Sequence, residues 1–155
     1  MTEPASDAVV QEVRIAARPE TVFSFLVDPV RLIQWKGIEA DLDPRPGGLY
    51  RCLVNPRSTA RGEFVEVVPH RRVVFTWGWE EPGFALPPGS SRVEIDLLPD
   101  GDGTLVRLTH SGLREAEMRR SHAEGWQHFL ARLVVAAEGR DPGPDPWATP
   151  ARPNQ

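Results

Sequence analysis

The sequence predicts an α+β domain in which a curved antiparallel sheet of six to seven strands wraps around one long C-terminal helix. Between residues 38 and 112, short apolar runs alternate with turns rich in Pro and Gly, which is typical of strands. The links between these runs are short, and this favours antiparallel pairing of consecutive strands. After Gly112 the spacing of apolar residues changes to that of an amphipathic helix.

The first 35 residues predict one strand and two short helices. Apolar and charged residues alternate over residues 9 to 16, the pattern of a half-buried strand. A helix is predicted over residues 19 to 27 and another over 29 to 35, because each begins with a proline, which suits the first helical position. Asp28 precedes the second helix and is expected to cap it.

The central part of the chain predicts a meander of six further strands. They are expected at about 38 to 43, 48 to 54, 60 to 68, 71 to 80, 91 to 98 and 103 to 110. Within the third of these runs, Phe64 and Val68 disagree in phase with Val65 and Val67, so a β-bulge is expected there. The alternation predicts a set of inward-facing residues: Val73, Phe75, Trp77, Trp79, Val93, Ile95, Leu97, Val106, Leu108 and His110.

The C-terminal helix is predicted from Met118 to Ala137, with Gly139 ending it. Its apolar stripe includes Trp126 and Phe129 and faces the sheet. Gly125 lowers helix stability by about 1 kcal/mol relative to Ala, so we expect a close approach of the helix backbone to another element there.

Length and composition predict a single domain without a membrane span. The 155 residues are divided into a disordered tail over 1–7, a folded domain over 8–140 and a proline-rich flexible tail over 141–155. No apolar run approaches the roughly 20 residues that cross a bilayer, and no secretory signal is recognisable. A cytoplasmic location is therefore expected.

Charge and cysteine content exclude several classes of partner. A net charge of -4 gives no electrostatic reason to expect nucleic-acid binding. The single cysteine, Cys52, is expected to be a small core residue, since it has no second cysteine for a disulfide or a zinc site. We expect no metal and no cofactor.

The order of elements resembles the START-like (SRPBCC) superfamily, which has the helix-grip fold also found in birch-pollen-allergen-like proteins. Several stretches are similar to the heat-shock-protein-90 ATPase activator homologue family: RPETVFSFLVDPVRLIQW (18–35), PGGLYR (46–51), VVFTW (73–77), GTLVRLTHSGL (103–113) and HAEGWQHFLARL (122–133). The resemblance covers residues 9 to 139. It implies a cavity between helix and sheet that receives an apolar ligand. The co-chaperone that names the family has an additional N-terminal domain for which this chain has no room, so ATPase activation is not expected.

The aromatic residues on the inward face and the helix predict the lining of such a cavity. The expected ligand-binding residues are Trp35, Tyr50, Phe64, Phe75, Trp77, Ile95, Leu108, His110, His122, Trp126, Phe129 and Leu133. Tyr50 and His110 would supply polar groups. No catalytic residue is assigned.

Two sets of polar residues leave an enzymatic alternative open. His110 and His122 are expected to approach each other across the cavity, most simply as a satisfied polar pair. Glu66 would enter the cavity if it shared a face with Phe64. His128 is expected to face solvent.

Three functions follow as hypotheses. The first is non-catalytic binding of a small hydrophobic or aromatic ligand. The second is a co-chaperone-like module that binds a protein partner or forms a homodimer, using exposed apolar residues such as Phe84 and Leu86 in the long segment 80–90. That segment would otherwise be a lid over the cavity. The third is an enzyme of the polyketide cyclase or aromatase type, with His110, His122 or Glu66 as its acid–base group.

Overall fold

The computed structural model describes residues 7–148, and the expected N-terminal tail lies almost wholly outside them. Seven antiparallel strands form one sheet, and a long helix packs against its inner face. In chain order the elements are β1 (Val9–Ile15), α1 (Pro19–Val27), α2 (Pro29–Leu32), β2 (Glu39–Leu42), β3 (Leu49–Asn55), β4 (Ser58–Val68), β5 (Arg72–Trp77), β6 (Ser91–Asp100), β7 (Gly103–Ser111) and α3 (Ala116–Ala137). This architecture confirms the predicted helix-grip fold.

The strand order β1-β7-β6-β5-β4-β3-β2 follows from the short links in the sequence. Each strand from β2 to β6 pairs with the next one along the chain, as expected for a meander. The first strand, β1, pairs with the last one, β7. Helices α1 and α2 therefore connect the two opposite edges of the sheet.

The predicted bulge lies between β4 and β5. Their pairing shifts register between Phe64 and Glu66. Phe64 is buried in the core, whereas the carboxylate of Glu66 accepts a hydrogen bond from Arg72 at 2.9 Å. Because the bulge separates the two side chains, Glu66 does not share the inward face of Phe64, and the condition under which it would enter the cavity is not met.

Two elements end earlier than the sequence predicts. Helix α2 ends at Leu32, and the residues up to 35 form tight turns instead, with Trp35 donating from its backbone N–H to the carbonyl of Leu32. Strand β5 ends at Trp77, and the next residue, Gly78, passes so close to Pro87 that a Cβ there would lie 1.7 Å from its carbonyl oxygen.

Two expectations about α3 are wrong. A Cβ built on Gly125 has no atom within 4 Å, so this glycine faces open space and marks no close approach. His128 does not face solvent freely, because Trp147 stacks on it with ring centroids 3.8 Å apart and Asp145 accepts from its Nε2 at 2.8 Å. Residues 141–148 thus run back along α3, and the rest of the expected flexible tail lies outside the described residues.

Within the described part of the chain, no helix is long and apolar enough to cross a membrane.

Candidate ligand cavity

A cavity of about 260 Å³ lies between α3 and the inner face of the sheet. Six of its lining residues are aromatic, and apolar linings with a few polar groups are typical of small-molecule sites. The complete lining is Lys36, Val54, Asn55, Ser58, Trp77, Trp79, Phe84, Met118, Ser121, His122, Gly125, Trp126, Phe129 and Trp147.

Part of the cavity volume is present because one lining residue is a glycine and has no side chain. Gly125 lies in the middle of α3, between the lining residues Ser121, His122, Trp126 and Phe129, and nothing occupies the position of its absent Cβ. A larger residue at this position would project into the hollow. Glycine is a poor helix former, but at position 125 it leaves this part of the cavity empty.

Four of the twelve residues predicted for the site line this cavity: Trp77, His122, Trp126 and Phe129. The other eight are buried in the packed core around it: Trp35, Tyr50, Phe64, Phe75, Ile95, Leu108, His110 and Leu133. Tyr50 and Phe75, for example, stack with ring centroids 3.9 Å apart and leave no room between them. Whether any of the twelve contacts a ligand stays a prediction.

His110 is fully engaged by protein groups. Its Nδ1 accepts from Trp126 Nε1 at 3.0 Å. Its Nε2 lies 2.9 Å from Ser91 Oγ, which itself donates to the carbonyl of Trp77, so Nε2 must carry the proton. Burial, with smaller effects of the nearby His122 and Lys36 charges, lowers the pKa of His110 to about 2. The imidazole is therefore neutral.

His122 is held in the same way. Its Nε2 accepts from Trp79 Nε1 at 3.2 Å, and its Nδ1 donates to the carbonyl of Met118 at 2.9 Å. Burial lowers the pKa of His122 as well. The two imidazole rings lie 5.1 Å apart at right angles. Since both ring nitrogens of each are occupied, neither imidazole has a nitrogen available for a substrate.

Lys36 is a lining residue that the sequence reasoning missed. It lies in the turns after α2 and is only 1% exposed. Its ammonium donates to the hydroxyl of Tyr50 at 2.9 Å. The same nitrogen lies 4.1 Å from the ring centroid of Trp77 and 4.6 Å from that of Trp126, which is the geometry of cation–π contacts.

No carboxylate in the part of the chain that the structure describes balances this charge. Among residues 7–148, no aspartate or glutamate forms an ion pair with Lys36. Burial lowers its pKa to about 8, and the neighbouring Cys52 only partly offsets this effect. Burial also raises the pKa of the Cys52 thiol, so that group is neutral and supplies no negative charge near pH 7.

A signal for Lys36 was present in the sequence. It is the only lysine in the chain, and every other basic position is an arginine. Arginine keeps its charge in nearly every environment, whereas a buried lysine readily changes its pKa. A single lysine beside Trp35 in an otherwise arginine-only chain therefore indicated a special environment.

Two aromatic residues at the rim were not in the predicted set. Phe84, in the segment 80–90, is 43% exposed and stacks on Trp79 with ring centroids 5.3 Å apart. Trp147 is 47% exposed and contacts Phe129 edge to face. Leu86 was expected to be exposed like Phe84, but it is buried. Side chains from two loops thus border the opening.

The model of the family described as Activator of Hsp90 ATPase homolog 1-like protein matches residues 16–138. The solution structure of an AHSA1-like protein from Rhizobium etli is 46% identical, covers 98% of this chain and 96% of that chain, and has a TM-score of 0.71. The crystal structure of CalU16 from Micromonospora echinospora is 30% identical over 90% of this chain and 77% of that chain, with a TM-score of 0.71.

A more distant structure has the same fold. The solution structure of the Aha1 dimer from Colwellia psychrerythraea is 19% identical over 85% of this chain and 96% of that chain, with a TM-score of 0.74. At this identity the likeness shows the fold alone. No curated protein matches the sequence.

Proposed function

Because the chain belongs to the Activator of Hsp90 ATPase homolog 1-like family, we propose that its helix-grip cavity binds one small hydrophobic or aromatic molecule without transforming it. The observation that supports this proposal most strongly is the hollow beside Gly125, which is enclosed by aromatic walls from α3, β5 and two loops. A core built only for stability is normally packed without such a space.

The affinity comes from apolar area that the ligand removes from water. Burial contributes about 25 cal/mol per Å², from which the cost of immobilising the ligand is subtracted. Rigid rings such as those of Trp77, Trp126 and Phe129 are already ordered before binding, so little additional entropy is lost. A cavity of about 260 Å³ suits a ligand of two fused rings better than a long lipid chain.

The positions of the three acid–base candidates that the sequence suggests support binding rather than turnover. His110 and His122 have both ring nitrogens in hydrogen bonds to protein groups. Glu66, the third candidate, bonds to Arg72 beyond the bulge. General acid–base catalysis needs a group within hydrogen-bond reach of the substrate, and none of these three meets that condition.

The rim favours a second candidate function, which is contact with a protein. Phe84 and Trp147 are two exposed aromatic side chains that border the same cavity, and such residues are enriched at interfaces. A partner protein or a second copy of this chain would cover them. Light scattering on the purified protein at several concentrations tests the homodimer, and alanine at both positions should abolish any dimer observed.

Filling the cavity tests the main proposal. Gly125→Leu should place a side chain in the hollow, and Gly125→Ala is the matched control, which adds one methyl group and improves helix propensity. Calorimetric titration with naphthalene derivatives should show saturable binding to the wild type and to Gly125→Ala, and none to Gly125→Leu. Circular dichroism checks that all three are folded. Binding that Gly125→Leu leaves unchanged, or its complete absence in a folded wild type, would contradict the proposal.

A further inference from the structure

The ammonium of Lys36 has an unusual environment for a charged group. It is surrounded by rings and one hydroxyl, it is almost completely buried, and no carboxylate in the described part of the chain pairs with it. Burial of a charge is costly unless an opposite charge compensates it. An anion entering the cavity would supply that compensation.

The indole nitrogen of Trp77 is a donor without an acceptor among the described residues. It is buried, and it has no hydrogen-bond partner among residues 7–148. The other three buried or half-buried indoles all donate: Trp35 to the Phe25 carbonyl, Trp79 to His122 and Trp126 to His110. Since nearly all buried polar groups in native proteins are paired, the exception needs an explanation.

The two donors belong to neighbouring side chains. Lys36 Nζ lies 4.1 Å from the centroid of the Trp77 ring, and both residues line the cavity. A carboxylate has two oxygens, so it is able to accept from an ammonium and from an indole N–H together. Hydrogen bonds to such charged partners are roughly twice as strong as neutral ones.

We infer that the ligand is a small apolar or aromatic carboxylic acid, with its carboxylate bound by Lys36 and Trp77 and its apolar part against Trp126 and Phe129. The inference rests on the proposed function and specifies its ligand class. A neutral ligand would leave the buried ammonium uncompensated, and a cationic one would be repelled by it.

The experiment compares 2-naphthoate with 2-naphthamide, which has nearly the same shape and no charge. In calorimetric titrations at pH 7, the wild type should bind the acid about 10-fold to 100-fold more tightly than the amide. Lys36→Met keeps the length of the side chain and removes the charge, so it should abolish this preference while still binding the amide. Trp77→Phe keeps a ring and removes the donor, so it should reduce the preference several-fold.

The pH dependence adds a readout that a purely structural role of Lys36 would not give. Lys36 loses its proton as the pH rises past about 8, so the affinity for 2-naphthoate should fall between pH 7 and pH 10. The affinity for 2-naphthamide should stay constant, and Lys36→Met should bind both ligands independently of pH.

The possible outcomes distinguish a failure of this inference from a failure of the proposed function. Equal binding of acid and amide to the wild type would overturn the inference and leave the proposed function intact. Binding of neither would contradict both. A preference for the acid that persists in Lys36→Met would place the carboxylate elsewhere and would also overturn the inference, and if that variant does not fold, Trp77→Phe and the wild-type pH series decide.

Discussion

Arg72 on the outer face of the sheet and Lys36 in the cavity are both cations held by several groups, but their surroundings are opposite. The guanidinium of Arg72 contacts three carboxylates, those of Glu66 at 2.9 Å, Glu94 at 2.6 Å and Asp96 at 2.8 Å. These hydrogen bonds raise its pKa above the ordinary value. Lys36 has no carboxylate partner among the described residues, and its pKa is lowered to about 8.

This difference between Arg72 and Lys36 shows that a shortage of acidic residues does not explain why Lys36 has no carboxylate partner among the described residues. Residues 7–148 supply three carboxylates to a cation that is 27% exposed and none to one that is 1% exposed. If a buried cation had only a structural role, an apolar residue in its place would make the folded protein at least as stable. We therefore interpret the unpaired lysine as part of the binding site.

The largest effect on stability is expected when one of the aromatic side chains that surround Lys36 is removed. Trp126→Ala should lower the free energy of unfolding by about 3 to 5 kcal/mol, because it leaves a cavity and removes the hydrogen bond to His110. Urea denaturation measures the loss. Trp126→Phe retains a ring and should lose less, and an alanine variant as stable as the wild type would show that this wall is not part of the packed core.

The buried charge on Lys36 should lower the free energy of unfolding by a measurable amount. Its pKa is about 8 in the folded protein and near 10.5 in the unfolded chain, so the unfolded state binds more protons between these values. The free energy of unfolding of the wild type should therefore rise by about 3 kcal/mol relative to that of Lys36→Met as the pH increases from 8 to 10.5. Parallel pH profiles for the two proteins would contradict the lowered pKa.

The charge of Arg72 should have the opposite effect to that of Lys36, because it stabilises the folded protein. Arg72→Met leaves three carboxylates facing one another, and the free energy of unfolding should fall by about 1 to 2 kcal/mol, less in high salt because the cluster is partly exposed.

Arg45 provides the matched control for that change. It pairs with Asp43 on an exposed surface, so Arg45→Met should change the unfolding free energy by less than about 0.5 kcal/mol. Equal effects of the two substitutions in chemical denaturation would remove the distinction between the carboxylate cluster and an ordinary surface pair.

The sequence predicted the fold because its signals are local. Alternation, turn residues and the change to helical spacing after Gly112 depend on neighbours a few residues apart. Even the bulge near Phe64 was visible as a break in phase. The ends of α2 and β5 have no such local signal, and the close approach of Gly78 to Pro87 just after β5 is visible only in the folded chain.

The cavity was less predictable because its features depend on tertiary packing. A lysine in a turn ordinarily faces solvent, and Lys36 is buried by aromatic rings from distant segments, those of Tyr50, Phe75, Trp77 and Trp126. Gly125 was interpreted as a close contact, whereas the structure has empty space there, and both situations favour a residue without a side chain. The presence of a single lysine in the composition was the one signal that pointed to Lys36.

The same residue allows the most direct test of the central claim. Protein labelled with ¹³C-lysine has a single lysine, so NMR titration of its Cε signal reports the pKa of Lys36 without ambiguity. We expect titration near pH 8 in the free protein and an upward shift when 2-naphthoate is added, because a bound anion stabilises the ammonium. Titration near the ordinary value of 10.5, or a pKa that 2-naphthoate leaves unchanged, would contradict the account.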